Sequence, residues 1–169
     1  SAYLKSFLMA TLTVIIMLTM SVGAVFAASP EGPDVFPLSD VQGAAVIETN
    51  SGVSLYAKNA DKQFYPASTT KVLTAITVLE NAEDLDKETT VSDAAVNGID
   101  PSSSHIALEV GEKVTIRQLL YGLLLCSGND CAVALAEEVG GSVSDFAKMM
   151  NKTAKKIGAD NSHFVNPHG

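Results

Sequence analysis

Ala67 to Asn81 is the stretch that most limits how this chain can fold, because it contains no glycine or proline. Val72, Leu73, Ala75, Ile76, Val78 and Leu79 spread around it on broad faces. A helix that is apolar on nearly every side is a buried one, so the pattern predicts a central helix covered by other elements. Upstream, Val41-Gln42-Gly43-Ala44-Ala45-Val46-Ile47-Glu48 is short, apolar and β-prone. Asn50-Ser51-Gly52 supplies turn chemistry, and Val53 to Ala57 follows with alternation, which predicts a hairpin.

Downstream, Glu88-Thr89-Thr90-Val91 fits a short strand, and Ser92 to Glu112 is rich in turn residues. Thr115-Ile116-Arg117-Gln118 fits a capping box that opens a helix through Leu125. That helix stops at Ser127-Gly128-Asn129. Asn129 or Asp130 can cap the next helix, Cys131 to Val139, which Gly140-Gly141 ends. Ser144 can cap a third helix, Asp145 to Ile157, with Gly158 as its stop. Lys148, Lys152, Lys155 and Lys156 on that helix form a solvated face that complements the dipole. The order is hairpin, buried helix, then a helical lobe over about residues 92–157.

The first turn of the central helix carries Ser68 and Lys71. A Ser three residues before a Lys places hydroxyl and amine on one face, one turn apart. An amine so placed can take the proton of a serine that is otherwise a poor nucleophile. Unpaired N–H groups and the positive dipole end lie near the serine oxygen and favour developing negative charge. Apolar neighbours push Lys71 toward the neutral form that a base needs. Further along, Ser127 adds a second hydroxyl and Asn129 a carboxamide, suited to relaying a proton and holding an amide.

Ser68-Thr69-Thr70-Lys71 and Ser127-Gly128-Asn129 resemble the S-x-x-K and S-x-N signatures of the penicillin-recognising serine enzymes. Val110 to Leu124 and His163-Phe164-Val165-Asn166-Pro167-His168-Gly169 look like the D-alanyl-D-alanine carboxypeptidases of that superfamily. The likeness runs from about Val41 to Gly169. It implies an α/β (α+β) fold of the β-lactamase/transpeptidase type, an antiparallel sheet flanked by helices plus a helical lobe. It implies that Ser68 attacks the penultimate D-Ala carbonyl of a peptidoglycan stem peptide ending in D-Ala-D-Ala, with Lys71 as base. Ser127 then passes a proton to the departing amine, Asn129 holds the substrate backbone, and the Ser68 N–H forms half of an oxyanion hole. β-Lactams acylate the same serine, and no cofactor is implied. The family's third signature, K-T-G, does not occur after Ser127. The expectation is therefore an N-terminal fragment of a catalytic domain, residues 28–169, lacking its C-terminal strands and inactive alone. Family members often carry a C-terminal amphipathic anchor, so membrane association through one is a further expectation.

A class A β-lactamase shares the nucleophile signature. Its deacylating Glu, a few tens of residues after S-x-N, has no counterpart here: Glu137 and Glu138 come too early, and His163 to Asn166 bring no carboxylate. A non-catalytic or decayed cell-wall binding protein is the rival of another class, although Ser68, Lys71, Ser127 and Asn129 are all present. A membrane-tethered structural protein would leave both signatures unexplained.

Lys5 is the only charge before Glu31, and Phe7 to Phe26 is dominated by apolar residues. Val25-Phe26-Ala27 offers a cleavage box, so residues 1–27 are expected to be a secretory signal cut after Ala27; an uncleaved signal anchor is the alternative. Export to the periplasm, or to the outer face of the cytoplasmic membrane or cell wall, follows. The mature part keeps 19 acidic residues against all 11 basic ones but Lys5, a balance that gives no support to nucleic-acid binding. Cys126 and Cys131 are expected to be small buried apolar side chains rather than a bridge. His105, His163 and His168 lack the acidic partners of a metal site, and a structural hydrogen bond is expected for each.

Overall fold

The computed structural model describes residues 41–169. The expected signal and its cleavage after Ala27 lie outside the described residues. The described residues fall into two units, one ending at Phe64 and one from Tyr65 to Gly169.

In the first unit, β1 (Ala44–Ile47) and β2 (Ser54–Lys58) form the expected antiparallel hairpin. Ala44 faces Lys58 and Val46 faces Tyr56, with an irregularity after Val46. The turn is held by Glu48, whose carboxylate accepts from the backbone N–H of Asn50 at 3.0 Å and of Ser51 at 2.6 Å. These bonds, led by the one from the Ser51 hydroxyl, hold the Glu48 carboxyl down at about 2.

The second unit begins with a 3-10 turn, Ala67–Thr69, that runs into α1 (Thr70–Asn81). Next come β3 (Glu88–Thr90), the short α2 (Asp93–Asn97) and β4 (Lys113–Thr115). Three longer helices follow, α3 (Ile116–Leu125), α4 (Asn129–Gly140) and α5 (Val143–Lys156). α1 packs against α3, α4 and α5. The core between them is built from Val78, Leu119, Leu123, Leu135, Phe146 and Met150, all fully buried. A core of this kind is the main favourable term holding the helices together. Among the described residues no helix is long and apolar enough to cross a membrane.

The expected capping box is present: Thr115 Oγ1 accepts from Gln118 N at 3.1 Å, and Gln118 Oε1 accepts from Thr115 N at 2.8 Å. The remaining helix starts correct the sequence reading. Ser142, not Ser144, caps α5, accepting from Asp145 N at 3.0 Å. The Ser142 hydroxyl also donates to Asp145 Oδ2 at 2.8 Å, while Ser144 already lies inside the first turn. α4 starts at Asn129 with Gly128 as its cap, and neither Asn129 nor Asp130 serves that position. The turn-rich segment hides α2, capped by Ser92, and ends in β4, which pairs antiparallel with β3. A three-residue strand is too short to show an alternation.

Two burial expectations also change. Among the described residues α1 is covered on one side: Val72 is 59% and Leu79 56% exposed, while Leu73, Thr74, Thr77 and Val78 are buried. Cys131 is buried, but Cys126 is exposed, and both are free thiols. Cys126 follows the last turn of α3 on its open side, next to Leu124 and Leu125, which are also exposed.

Candidate active site

Pro66 and Ala67 set the approach to the central helix. Ala67 takes a left-handed φ of 47°, an uncommon conformation for a residue with a side chain. The Thr69 hydroxyl donates to Pro66 O at 2.6 Å and steadies the turn. Ser68 is thereby left exposed in the 3-10 turn, just ahead of the α-helix proper.

Lys71 lies in the first turn of α1 and is only 3% exposed. Its Nζ donates to Ser68 Oγ at 3.2 Å and to His168 O at 3.5 Å. No carboxylate pairs with it among the described residues. Burial without a counter-charge pushes its amine below the usual lysine value. The His168 imidazole faces the same amine, and burial, then the Lys71 charge, lowers its own pKa.

Ser127 and Asn129 sit at the junction of α3 and α4. Ser127 has a left-handed φ of 57° and is half-buried. Gly128 N bonds Gly122 O at 3.1 Å, and Asn129 N bonds Ser104 O at 2.8 Å, so the junction is tied to both neighbouring segments. Asp130, 2% exposed, is the central tie. Its Oδ2 accepts from Ile106 N at 3.0 Å and Leu108 N at 3.2 Å, and its Oδ1 from Cys131 N at 2.8 Å. Gly122 lets the two helices approach: a Cβ there would lie 2.5 Å from Cys131 Sγ and 2.9 Å from Ile106 Cδ1. The Asn129 Oδ1 is buried and has no hydrogen-bond partner. A buried acceptor left open in this way is costly unless something else donates to it.

Ser68 and Lys71 are therefore in contact, as their spacing predicts, whereas no hydrogen bond joins them to Ser127 or Asn129. Sequence reasoning missed Asp130 as the tie of the second motif and the His168 carbonyl as a neighbour of Lys71. Asp130 was read only as a cap, and the Ile106 and Leu108 N–H groups that its Oδ2 accepts from lie more than twenty positions away. His105 Nδ1 accepts from Ala107 N at 3.1 Å. Among the described residues, no group of three or more His, Cys, Asp or Glu is placed to hold a metal ion.

Residues 33–169 match the family model for D-alanyl-D-alanine carboxypeptidase. The D-alanyl-D-alanine carboxypeptidase DacF of Bacillus subtilis is 38% identical over 168 residues, covering 96% of this chain and 42% of that protein. Among solved structures, a variant of the Streptomyces DD-transpeptidase superposes with a TM-score of 0.72 at 38% identity, covering 76% of this chain and 53% of that one. The carboxypeptidase DacD of Francisella tularensis gives a TM-score of 0.70 at 35% identity, over 77% of this chain and 32% of that one. The mixed α/β architecture, with short antiparallel sheets beside helices, is that of these neighbours. The chain belongs to the D-alanyl-D-alanine carboxypeptidase family. It spans less than half the length of the Bacillus relative.

Proposed function

We propose that this chain is the part of a serine DD-carboxypeptidase that carries its nucleophile and base. Such an enzyme removes the terminal D-Ala of peptidoglycan stem peptides through an acyl-enzyme and is acylated by penicillin. The observation that carries the reading is the 3.2 Å contact between the exposed Ser68 hydroxyl and the buried Lys71 amine. A desolvated, uncharged-leaning amine at that distance is a base positioned for the serine proton.

In this mechanism Lys71 takes the Ser68 proton as Oγ attacks the penultimate D-Ala carbonyl. The oxygen that becomes negative lies toward the Ser68 N–H. Ser127 passes a proton to the leaving D-Ala amine. Asn129, with its open Oδ1, accepts from the substrate backbone. Water then releases the shortened peptide. Action on the cell wall places the protein outside the cytoplasm, and residues 1–27 are the proposed export signal. Residues 28–169 are then the N-terminal part of a transpeptidase-like catalytic domain, with a helical lobe over about residues 92–157.

The test is covalent labelling of the intact protein by a fluorescent penicillin. The wild type should label and Ser68→Ala should not. A Ser68→Ala protein that still labels would end this assignment.

A second reading concerns only the acceptor. The likeness to a Streptomyces DD-transpeptidase favours asking whether an amine competes with water for the acyl group. Partition of a D-Ala-D-Ala peptide between hydrolysis and transfer to an added amine distinguishes the two.

A further inference from the structure

Four residues after α5, Asn166 to Gly169, run along the start of α1 and take part in neither motif. Gly169, at a φ of 80°, lies so close that a Cβ on it would fall 2.0 Å from Ala67 O and 2.7 Å from Thr70 Oγ1. The His168 carbonyl accepts from Lys71 Nζ at 3.5 Å. Pro167 is fully buried, and its carbonyl accepts from the Thr74 hydroxyl at 2.7 Å. The segment thus touches Ala67, Thr70, Lys71 and Thr74 in turn. Asn166 shapes it: its Oδ1 accepts from Gly169 N at 2.6 Å and from His168 N at 3.2 Å. An Asn that gathers the N–H groups two and three residues on makes a local turn that backbone bonds alone do not supply.

We propose that Asn166 is a positioning residue for the Lys71 amine, holding the turn that presents the His168 carbonyl to Nζ. The proposal rests on the reading of Ser68 and Lys71 given above. A neutral amine has two N–H donors and one lone pair, and only the lone pair can take the serine proton. A carbonyl that accepts one N–H fixes rotation about the Cε–Nζ bond and so fixes where the lone pair points. The same segment lies against Lys71, which is only 3% exposed, and burial is what lowers its pKa. The titratable group that faces Lys71 from this segment is the His168 imidazole, itself pushed toward its neutral form.

The experiment follows the rate of acylation by a fluorescent penicillin against pH, with the melting midpoint, in the intact protein. Wild type, Asn166→Ala, Asn166→Ser and Thr74→Val are compared. Asn166→Ala should slow acylation about tenfold at neutral pH and move the acid limb of the profile up by about one unit as water reaches the amine. Asn166→Ser keeps a neutral acceptor able to form the same kind of turn, so it should recover most of both effects. Thr74→Val frees the Pro167 carbonyl and should shift the limb the same way by less. An Asn166→Ala protein whose rate falls with an unmoved profile, or does not fall, overturns the proposal. If that variant does not fold, the Ser and Thr74→Val profiles decide: a shifted limb in Thr74→Val supports the proposal and an unmoved one overturns it. The underlying reading fails differently, by a wild type that does not label or a Ser68→Ala protein that does.

Discussion

Ser68 and Lys71 meet across one helical turn, whereas the junction that carries Ser127 and Asn129 is tied, through Asp130 and the Asn129 N–H, to groups more than twenty residues away. The first pair is brought together by one turn of α1 and the strained Ala67 before it, and the His168 carbonyl then reaches the Lys71 amine from far along the chain. The second needs the 104–108 segment, the buried Asp130 and a glycine at 122, and it keeps Ser127 in a left-handed conformation. The difference teaches where stability and chemistry are coupled. Local geometry can lose a functional group without unfolding anything. A junction tied by long-range bonds cannot lose its tie so freely.

The sharpest way to break this contrast is Lys71→Ala. Removal of a general base of this kind should lower penicillin acylation about 10³-fold, measured by stopped-time labelling, with little change in the melting midpoint. The amine also leaves a pH signature. Its folded-state pKa lies below the ordinary 10.5, so the unfolded chain holds more protons between those two values. Stability should rise with pH across that window in the wild type, and the slope should flatten in Lys71→Met. An acylation rate near wild type in Lys71→Ala would move the chemistry away from the local pair.

Asp130→Ala should behave in the opposite manner. It leaves the Ile106 and Leu108 N–H groups without their acceptor and should cost about 3 kcal/mol in urea unfolding, with acylation falling alongside. An unchanged unfolding midpoint would show that the junction does not depend on this carboxylate.

Ser127→Gly separates the two properties at one residue. Glycine accepts a φ of 57° without strain, so the variant should gain about 1 kcal/mol of stability while losing peptide turnover. A loss of stability would mean that the Ser127 side chain holds the junction together.

The smallest effect is expected from Arg117→Ala. Its guanidinium forks onto Asp86 at 2.7 and 3.0 Å, but both side chains are about half or more exposed. Loss of a solvated pair of this kind should move the melting midpoint very little, and any small effect should vanish in added salt.

The same contrast explains what could be read in the sequence. The hairpin, the capping box at Thr115, the glycines that end α4 and the Ser68–Lys71 contact all follow from spacings of a few residues. The short strand at Glu88–Thr90 is legible, but its partner β4 lies about 25 positions further on, with no pattern in its three residues to announce the pairing. Asp130 looked like a helix cap because nothing near it in the chain reveals its bonds to Ile106 and Leu108. The His168 carbonyl near Lys71 has no signal at all, since a backbone oxygen has no identity in the sequence. The one-sided cover of α1 shows the limit of composition: Val72 and Leu79 extend the apolar pattern without being buried among the described residues.

The two thiols differ in a way that gives the protein a ready-made reporter. Burial, with Asp130 beside it, raises the Cys131 thiol far above its usual value, while Cys126 stands exposed one residue before Ser127. A thiol-selective dye or spin label should therefore attach to Cys126 alone, with no engineering. It would sit at the junction between α3 and α4, and its spectrum would follow that corner of the molecule as penicillin binds.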